Sequence, residues 1–282
     1  MICVINYFMT QIIPELKPGQ SIELLKELHI LTREGKLNQD TRRKLKQVYH
    51  LFQFIEPLLL DLENRGKSYT LADHGAGKSY LGFILYDLFL KNHKEGSVIG
   101  IEFREELVKK SRELAEKLNF DRMAFHHLTV QDSIHNEAIP ETVEIVTALH
   151  ACDTATDDAI KFALEKKAQY IVLVPCCQAE VASYLRKNKS KVLSKTPLVE
   201  MWRHPMHTRE FGSHITNVLR CLQLESHGYQ VTVTELIGWE HSMKNELIIA
   251  HQKELPKNYP RKRLESLMDE LHLEELKFRF LE

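Results

Sequence analysis

Net charge is almost absent from this chain: 38 Lys and Arg stand against 39 Asp and Glu in 282 residues, a formal balance of -1. That excludes a polybasic scaffold and an acidic disordered tail, so any nucleic-acid contact must come from a local patch. Long apolar runs are also lacking. None approaches the ~18 residues needed to cross a bilayer, so no membrane partner is expected. Met1–Thr10 is apolar but has neither a basic leader nor a long hydrophobic stretch, and reads as a short strand or helix packed on the body rather than a signal peptide. The cysteines, Cys3, Cys152, Cys176, Cys177 and Cys221, are an odd number without framework spacing, and two are adjacent. A reducing, cytoplasmic compartment is the expectation. Repeats and low-complexity tracts are missing too, whereas 43% hydrophobic residues over this length can build one large core or two small ones.

What is present divides the chain into three: a helical N-terminal extension over 1–66, a body over 67–254 and a helical tail over 255–282. Ser21–Glu34 places Leu24, Leu28 and Leu31 on one helical face and is ended by Gly35. Asp40 then caps a second run with Leu45, Val48, Phe52 and Ile55 at helical spacing, basic on its other face, where Pro57 should kink or restart the helix. From Tyr69, short apolar runs alternate with amphipathic segments, the pattern of a parallel α/β sheet. Strands are predicted at Tyr69–Ala72, Ser97–Ile101, Met123–Leu128, Val143–Leu149 and Gln169–Val174, with helices such as Glu105–Leu118 and Phe211–His227 among the connections. Tyr229–Ile237 and Glu246–His251 follow with no helix between them, predicting an antiparallel closing pair. A charged helix over Arg261–Glu282 completes the pattern.

The most informative stretch is Thr70-Leu-Ala-Asp73-His-Gly75-Ala-Gly77-Lys78-Ser79, a strand running through glycines into a helix. Glycines there let the backbone approach a ligand, and the helix start offers free N–H groups. One reading is a P-loop nucleotide hydrolase, with Ala72 in the first glycine position, Lys78 on phosphates and Ser79 on Mg²⁺. The other is nucleoside binding without a triphosphate. The next strand ends in Glu102, an acid suited to accept both ribose hydroxyls, and the third is followed by Gln131 and Asp132.

Asp73-x-Gly75-x-Gly77, with Ser79 where a third glycine is usual, resembles the first motif of class I S-adenosylmethionine-dependent methyltransferases. The resemblance implies a Rossmann-like α/β sheet of parallel strands with an antiparallel closing pair, S-adenosyl-L-methionine as cofactor, and Asp73, Gly75, Gly77, Glu102 and Asp132 as its binding residues. Leu149-His-Ala-Cys152-Asp153 and Val174-Pro-Cys176-Cys177-Gln178, with the basic Arg42–Lys46 segment, are similar to a methyltransferase-like subfamily related to tRNA acceptor-stem 2′-O-methyltransferases, over about residues 40–252.

Ligands of such sheets bind beyond the carboxyl ends of the strands. His150, Cys152, Asp153 and Cys176 are therefore the candidate catalytic or acceptor-pocket residues. Cys176 could act as a thiolate nucleophile with help from Cys152 or Asp153, or the cysteines could simply pack beside the methionyl group. No metal is expected, His204-x-x-His207 being a weak signal alone. Leu185–His214 carries seven basic residues, Arg186, Lys187, Lys189, Lys191, Lys195, Arg203 and Arg209, against Glu200 and Glu210, and contains Trp202. Together with Arg42–Lys46 it suggests an RNA partner. A small-molecule methyltransferase and a non-catalytic binding protein stay open as alternatives.

Overall fold

Seven strands form one sheet: β1 Tyr69–His74, β2 Gly96–Glu102, β3 Met123–His127, β4 Ile145–Leu149, β5 Tyr170–Val174, β6 Tyr229–Glu235 and β7 Glu246–Gln252. Their order is β3-β2-β1-β4-β5-β7-β6. The first five are parallel; β7 runs antiparallel to β5, and β6 antiparallel to β7. Leu71, Ala72, Ile145, Val146, Ile171 and Leu173 are buried along their strands, as expected of a parallel sheet covered on both faces. The order reverses between β1 and β4, which opens a crevice at their carboxyl ends. These features come from a computed structural model that describes residues 15–149, 151, 153–175, 178–188, 200–201, 203–236 and 246–281. The expected element at Met1–Thr10 lies outside those residues.

The helices are α1 Ile22–Glu27, α2 Gln39–Asn64, α3 Tyr80–Leu88, α4 Glu105–Lys117, α5 Val130–His135, α6 Thr154–Glu165, α7 Glu180–Lys187, α8 Pro205–Ser226, α9 Asn258–Glu270 and α10 Lys277–Phe280. Several bounds correct the sequence reading. Ser21 caps α1, but the helix stops at Glu27 because His29 takes φ +55°. The N–H groups of His29 and Ile30 then bond the carbonyls of Lys26 and Leu25, a left-handed helix stop usually given to glycine. Asn38, not Asp40, caps α2 through a reciprocal pair with Thr41. Pro57 does not restart that helix. Phe52, Ile55, Leu59 and Leu62 are buried around it, and their packing overrides local propensity. The α8 helix begins six residues before the expected start, with Pro205 in its first turn, where a missing N–H does no harm. The tail is α9, a 3₁₀ turn at Glu274–Leu276 and α10 rather than one helix, reversing where His272 takes φ +51°.

Helices α1 and α2 share a core with β1 and α3, built from Leu24, Leu45, Phe52, Leu71 and Phe83 among others. The far end of α2 is tied to the amino-terminal margin of the sheet: Tyr170 donates to Asp61 at 2.7 Å and Tyr69 to Glu63 at 3.1 Å. The tail packs Leu264, Met268 and Phe280 onto α7 and α8. Among the described residues, no helix is long and apolar enough to cross a membrane.

Candidate active site

Strand β1 delivers Asp73 and His74 to the crevice, and the chain turns there through Gly75 at φ +64° and Gly77 at φ +58°. Only glycine takes such angles without strain. Ser79, at φ +48°, takes a third left-handed position and offsets the strain by donating its hydroxyl to the Asp73 carboxylate at 2.9 Å. Thr147 on β4 donates to the other Asp73 oxygen at 3.2 Å. Asp73 therefore braces the turn from beneath. Burial pushes its carboxyl up to about 6 despite those hydrogen bonds. The bracing also rules out the P-loop reading, because Ser79 is fully buried and its hydroxyl is directed at Asp73 rather than toward an Mg²⁺.

A cleft of about 660 Å³ opens on one side of this turn, between the ends of β2 and β3 and the start of α6. Glu102 sits at its edge, 7% exposed. Its carboxylate accepts from Gly77 N–H at 2.6 Å, from Arg104 N–H at 3.0 Å and from the Arg104 guanidinium at 2.9 and 3.4 Å. Burial opposes ionisation of Glu102, but these donors hold it below its ordinary pKa. Two residues that the sequence did not single out stand beside it. Phe103 is 67% exposed, an open aromatic face on the cleft. His74 is 2% exposed, and neither ring nitrogen has a hydrogen-bond partner among the described residues. Burial pushes its pKa down to about 4, so the imidazole is neutral. The imidazole is thus an orphaned, neutral polar group buried in the cleft wall. Of the remaining expected cofactor residues, Gly75 lies in the wall, whereas Asp73 and Gly77 line the space on the other side of the turn. Asp132 lies just past Thr129, Val130 and Gln131, which line the cleft, and its carboxylate is taken by the Thr129 hydroxyl in the cap of α5.

At the ends of β4 and β5, His150, Cys152, Cys176 and Cys177 lie outside the described residues. Asp153 is described, and it has a bracing role. Its φ of +50° is strained for a non-glycine. One carboxylate oxygen accepts the N–H groups of Ala179 and Glu180 at the start of α7, at 3.0 and 3.2 Å. Its carbonyl accepts from Arg220 at 2.8 Å. Arg220 is wholly buried and grips the Asp157 carboxylate at 2.7 and 3.0 Å. Asn217 links Arg220 to Gln178, and Gln178 accepts from Ser213. This frame ties together the two loops that carry the cysteines.

A second cavity of about 530 Å³ lies on the other side of the glycine turn, between it, α3 and the N-terminal extension. Gly75 and Arg104 border both spaces.

The anticipated basic face is only partly free. Lys187 pairs with Glu275 at 2.9 Å, Arg203 with Glu200 and Arg209 with Glu210. On the extension, Arg42 pairs with Glu15 and Lys44 with Asp40. Glu275 is distant in sequence, so local counting could not include it. Lys189, Lys191, Lys195 and Trp202 lie outside the described residues. His204 and His207 stand with ring centres 5.3 Å apart, yet among the described residues no group of three potential ligands could hold a metal ion.

The strand order, the antiparallel final pair, the glycine turn and the acid ending β2 together define the class I S-adenosylmethionine-dependent methyltransferase fold. A family model described as a methyltransferase domain matches residues 43–184, half of the chain, and the chain belongs to that family. Its methyl donor is S-adenosyl-L-methionine. No curated protein matches the sequence. Similar solved structures include an rRNA methylase from Streptococcus thermophilus, 9% identical with a TM-score of 0.42 over 67% of this chain and 89% of that one. Another is the magnesium protoporphyrin IX methyltransferase of Synechocystis PCC 6803 with bound SAH, 11% identical with a TM-score of 0.47 over 82% and 93%.

Proposed function

We propose that the chain transfers a methyl group from S-adenosyl-L-methionine to RNA. The observation that carries this reading is the pairing of two cavities across Gly75, one with nucleoside-binding features and the other bordered by cations. When bound, the cofactor supplies an electrophilic methyl group on a positively charged sulfur. Glu102 would accept the ribose hydroxyls, Phe103 would stack on the adenine and His74 would give the nucleoside a neutral hydrogen-bond partner. Gly75 and Gly77 would let the backbone approach the methionyl portion, and Asp73 would hold that turn in shape. Asp132 belongs at the adenine end of the same assignment.

On the acceptor side, His150, Cys152 and Cys176 are assigned to the pocket, with Asp153 positioning the loops that bear them. An in-line acceptor in a water-poor site gains most of its rate from placement, so neither cysteine is required as a covalent nucleophile. RNA is favoured over a small molecule because Arg43 and Lys46 on α2 and Lys78 on the turn have no ion-pair partner among the described residues. The resemblance to a methyltransferase-like subfamily related to tRNA acceptor-stem 2′-O-methyltransferases makes a ribose hydroxyl the first atom to examine. A cytoplasmic location fits an odd number of cysteines without framework spacing.

Incubating the purified chain with isotopically labelled cofactor and RNA from cells lacking the gene tests the reading. Label should appear in one nucleoside resolved by mass spectrometry. Label confined to a small-molecule fraction would overturn it.

A further inference from the structure

The cavity between the N-terminal extension and the glycine turn has a wall chemistry unlike that of the cofactor cleft. Leu28, Val48, Leu51, Leu81, Leu149 and Leu236 make it largely apolar. Its volume of about 530 Å³ falls within the range of pockets that enclose a compact organic ligand. Asp73 is the one carboxylate on its wall among the described residues, and that group already receives hydrogen bonds from Ser79 and Thr147. The charged groups at its border are cations: Lys44, Lys78 and Arg104.

Tyr80 adds a second, independent feature. It opens α3, lines the cavity and is half-buried, and its hydroxyl has no hydrogen-bond partner among the described residues. A tyrosine in this setting offers a flat ring for stacking and a polar atom at the ring's end. Outside the cavity, the positive charge continues along α2. Arg43 and Lys46 are exposed, lie one helical turn apart and sit further round the helix from Lys44, toward its outer face. An apolar slot with an aromatic wall, bordered by cations of which Lys78 has no ion-pair partner among the described residues, matches a base attached to a phosphate backbone.

We propose that this cavity is the acceptor site and that its occupant is one unpaired nucleotide of an RNA strand. The base lies against Tyr80 and the leucine wall. Phosphates on either side meet Lys78 and Arg104 within, and Arg43 and Lys46 along the helix. The nucleotide thereby reaches Gly75, where the cavity meets the cofactor cleft, and the acceptor atom would approach the methyl group in line with the carbon–sulfur bond that breaks. The acceptor's proton leaves to solvent as the carbon–sulfur bond breaks and the new methyl bond forms, with S-adenosylhomocysteine as the second product. The proposal rests on the RNA reading above, but it places the acceptor on the N-terminal extension.

The test uses the full chain with Leu51→Trp, which fills the slot, and Tyr80→Ala, which removes the stack. Two readouts are taken for each: calorimetric affinity for S-adenosylhomocysteine, and label transferred from cofactor to RNA from cells lacking the gene. Both variants should keep the parent affinity for S-adenosylhomocysteine and lose about tenfold or more in RNA methylation, the scale of one lost base stack. RNA methylation at the parent rate by both variants would overturn the site while leaving the RNA reading intact. Loss of S-adenosylhomocysteine binding by a folded Tyr80→Ala would also overturn it, by giving the cavity to the cofactor. If the parent chain methylates no RNA but labels a small molecule, the RNA reading fails and this occupant fails with it. Should Leu51→Trp not fold, Tyr80→Ala decides the matter alone on the same two readouts.

Discussion

Arg220 holds the carbonyl of Asp153 at 2.8 Å from a position with no solvent exposure at all. A fully buried guanidinium thus stabilises a strained turn at the end of β4 while Asp157 neutralises its charge. Removing the cation leaves Asp157 buried and unpaired, which typically costs about 3–5 kcal/mol. Arg220→Met should show that loss in urea denaturation, and Arg220→Met with Asp157→Leu should recover part of it. The double variant should bind S-adenosylhomocysteine normally yet turn over slowly, since the frame acts on the acceptor loops. Normal turnover in the folded double variant would reduce the frame to a stability device.

Adjacent Asp73 and His74 should give the chain two opposed pH dependences. Burial raises Asp73 from 3.8 to about 6, so its contribution to stability falls as pH climbs from about 4 to 6. Burial lowers His74 from 6.5 to about 4, so its contribution rises as pH climbs from about 4 to 6.5. Each change corresponds to about 3 kcal/mol over its full extent. Relative to the parent, Asp73→Asn should gain stability as pH rises through this window and His74→Leu should lose it. Denaturation series at half-unit pH steps would show the divergence; parallel curves would mean that neither group is shifted.

His74→Leu carries a second expectation at neutral pH. It removes two buried nitrogens that have no partner in the free chain, a penalty of about 1–3 kcal/mol. The variant should melt at a higher temperature than the parent and bind S-adenosylhomocysteine more weakly. A lower melting temperature with unchanged affinity would show that the imidazole serves packing alone.

The cofactor cleft can be dissected by two further substitutions. Glu102→Gln should weaken S-adenosylhomocysteine by about ten- to a hundredfold, the scale of charge-assisted hydrogen bonds to two hydroxyls. Phe103→Ala should cost about tenfold through lost stacking. Titration calorimetry at fixed salt separates these from any effect on RNA.

The paired Lys187 on α7 and the α2 cations Arg43 and Lys46, which have no ion-pair partner among the described residues, should differ in their salt behaviour. Lys187 is engaged with Glu275, so Lys187→Ala should leave the slope of RNA affinity against salt unchanged. Arg43→Ala and Lys46→Ala should each flatten it by about one counterion. The opposite ranking would put RNA on the face of α7 and α8.

Much of the architecture could be read before the coordinates because its cause is periodic. Parallel strands buried on both faces leave continuous apolar runs, and the Gly75–Gly77 turn announces a backbone that must go left-handed. What escaped reading has long-range or exceptional causes. His29 and His272 take helix-ending conformations usually marked by glycine, so nothing in their type signals a stop. The role of Asp73 depends on Thr147, which is brought to it only when β4 pairs with β1. Asp153 reads as a reacting carboxylate by position, but its partners, Ala179 and Arg220, arrive from two later elements. Phe103 carries no sequence signal, because one aromatic after an acid has no pattern until its exposure is known.

Helix α2 has a consequence for how such a protein can diverge. Its 26 residues make a rod about 39 Å long, fastened near its far end by Asp61 and Glu63 to the tyrosines of β5 and β1. Its near end presents Lys44, Val48 and Leu51 to the acceptor cavity, while the cofactor cleft is lined from the sheet and the helices that follow it. Substitutions on a single stripe of a single helix can therefore widen, narrow or recharge the space offered to the acceptor while the machinery that holds the methyl donor is inherited unchanged. Relatives with different targets should differ first along α2.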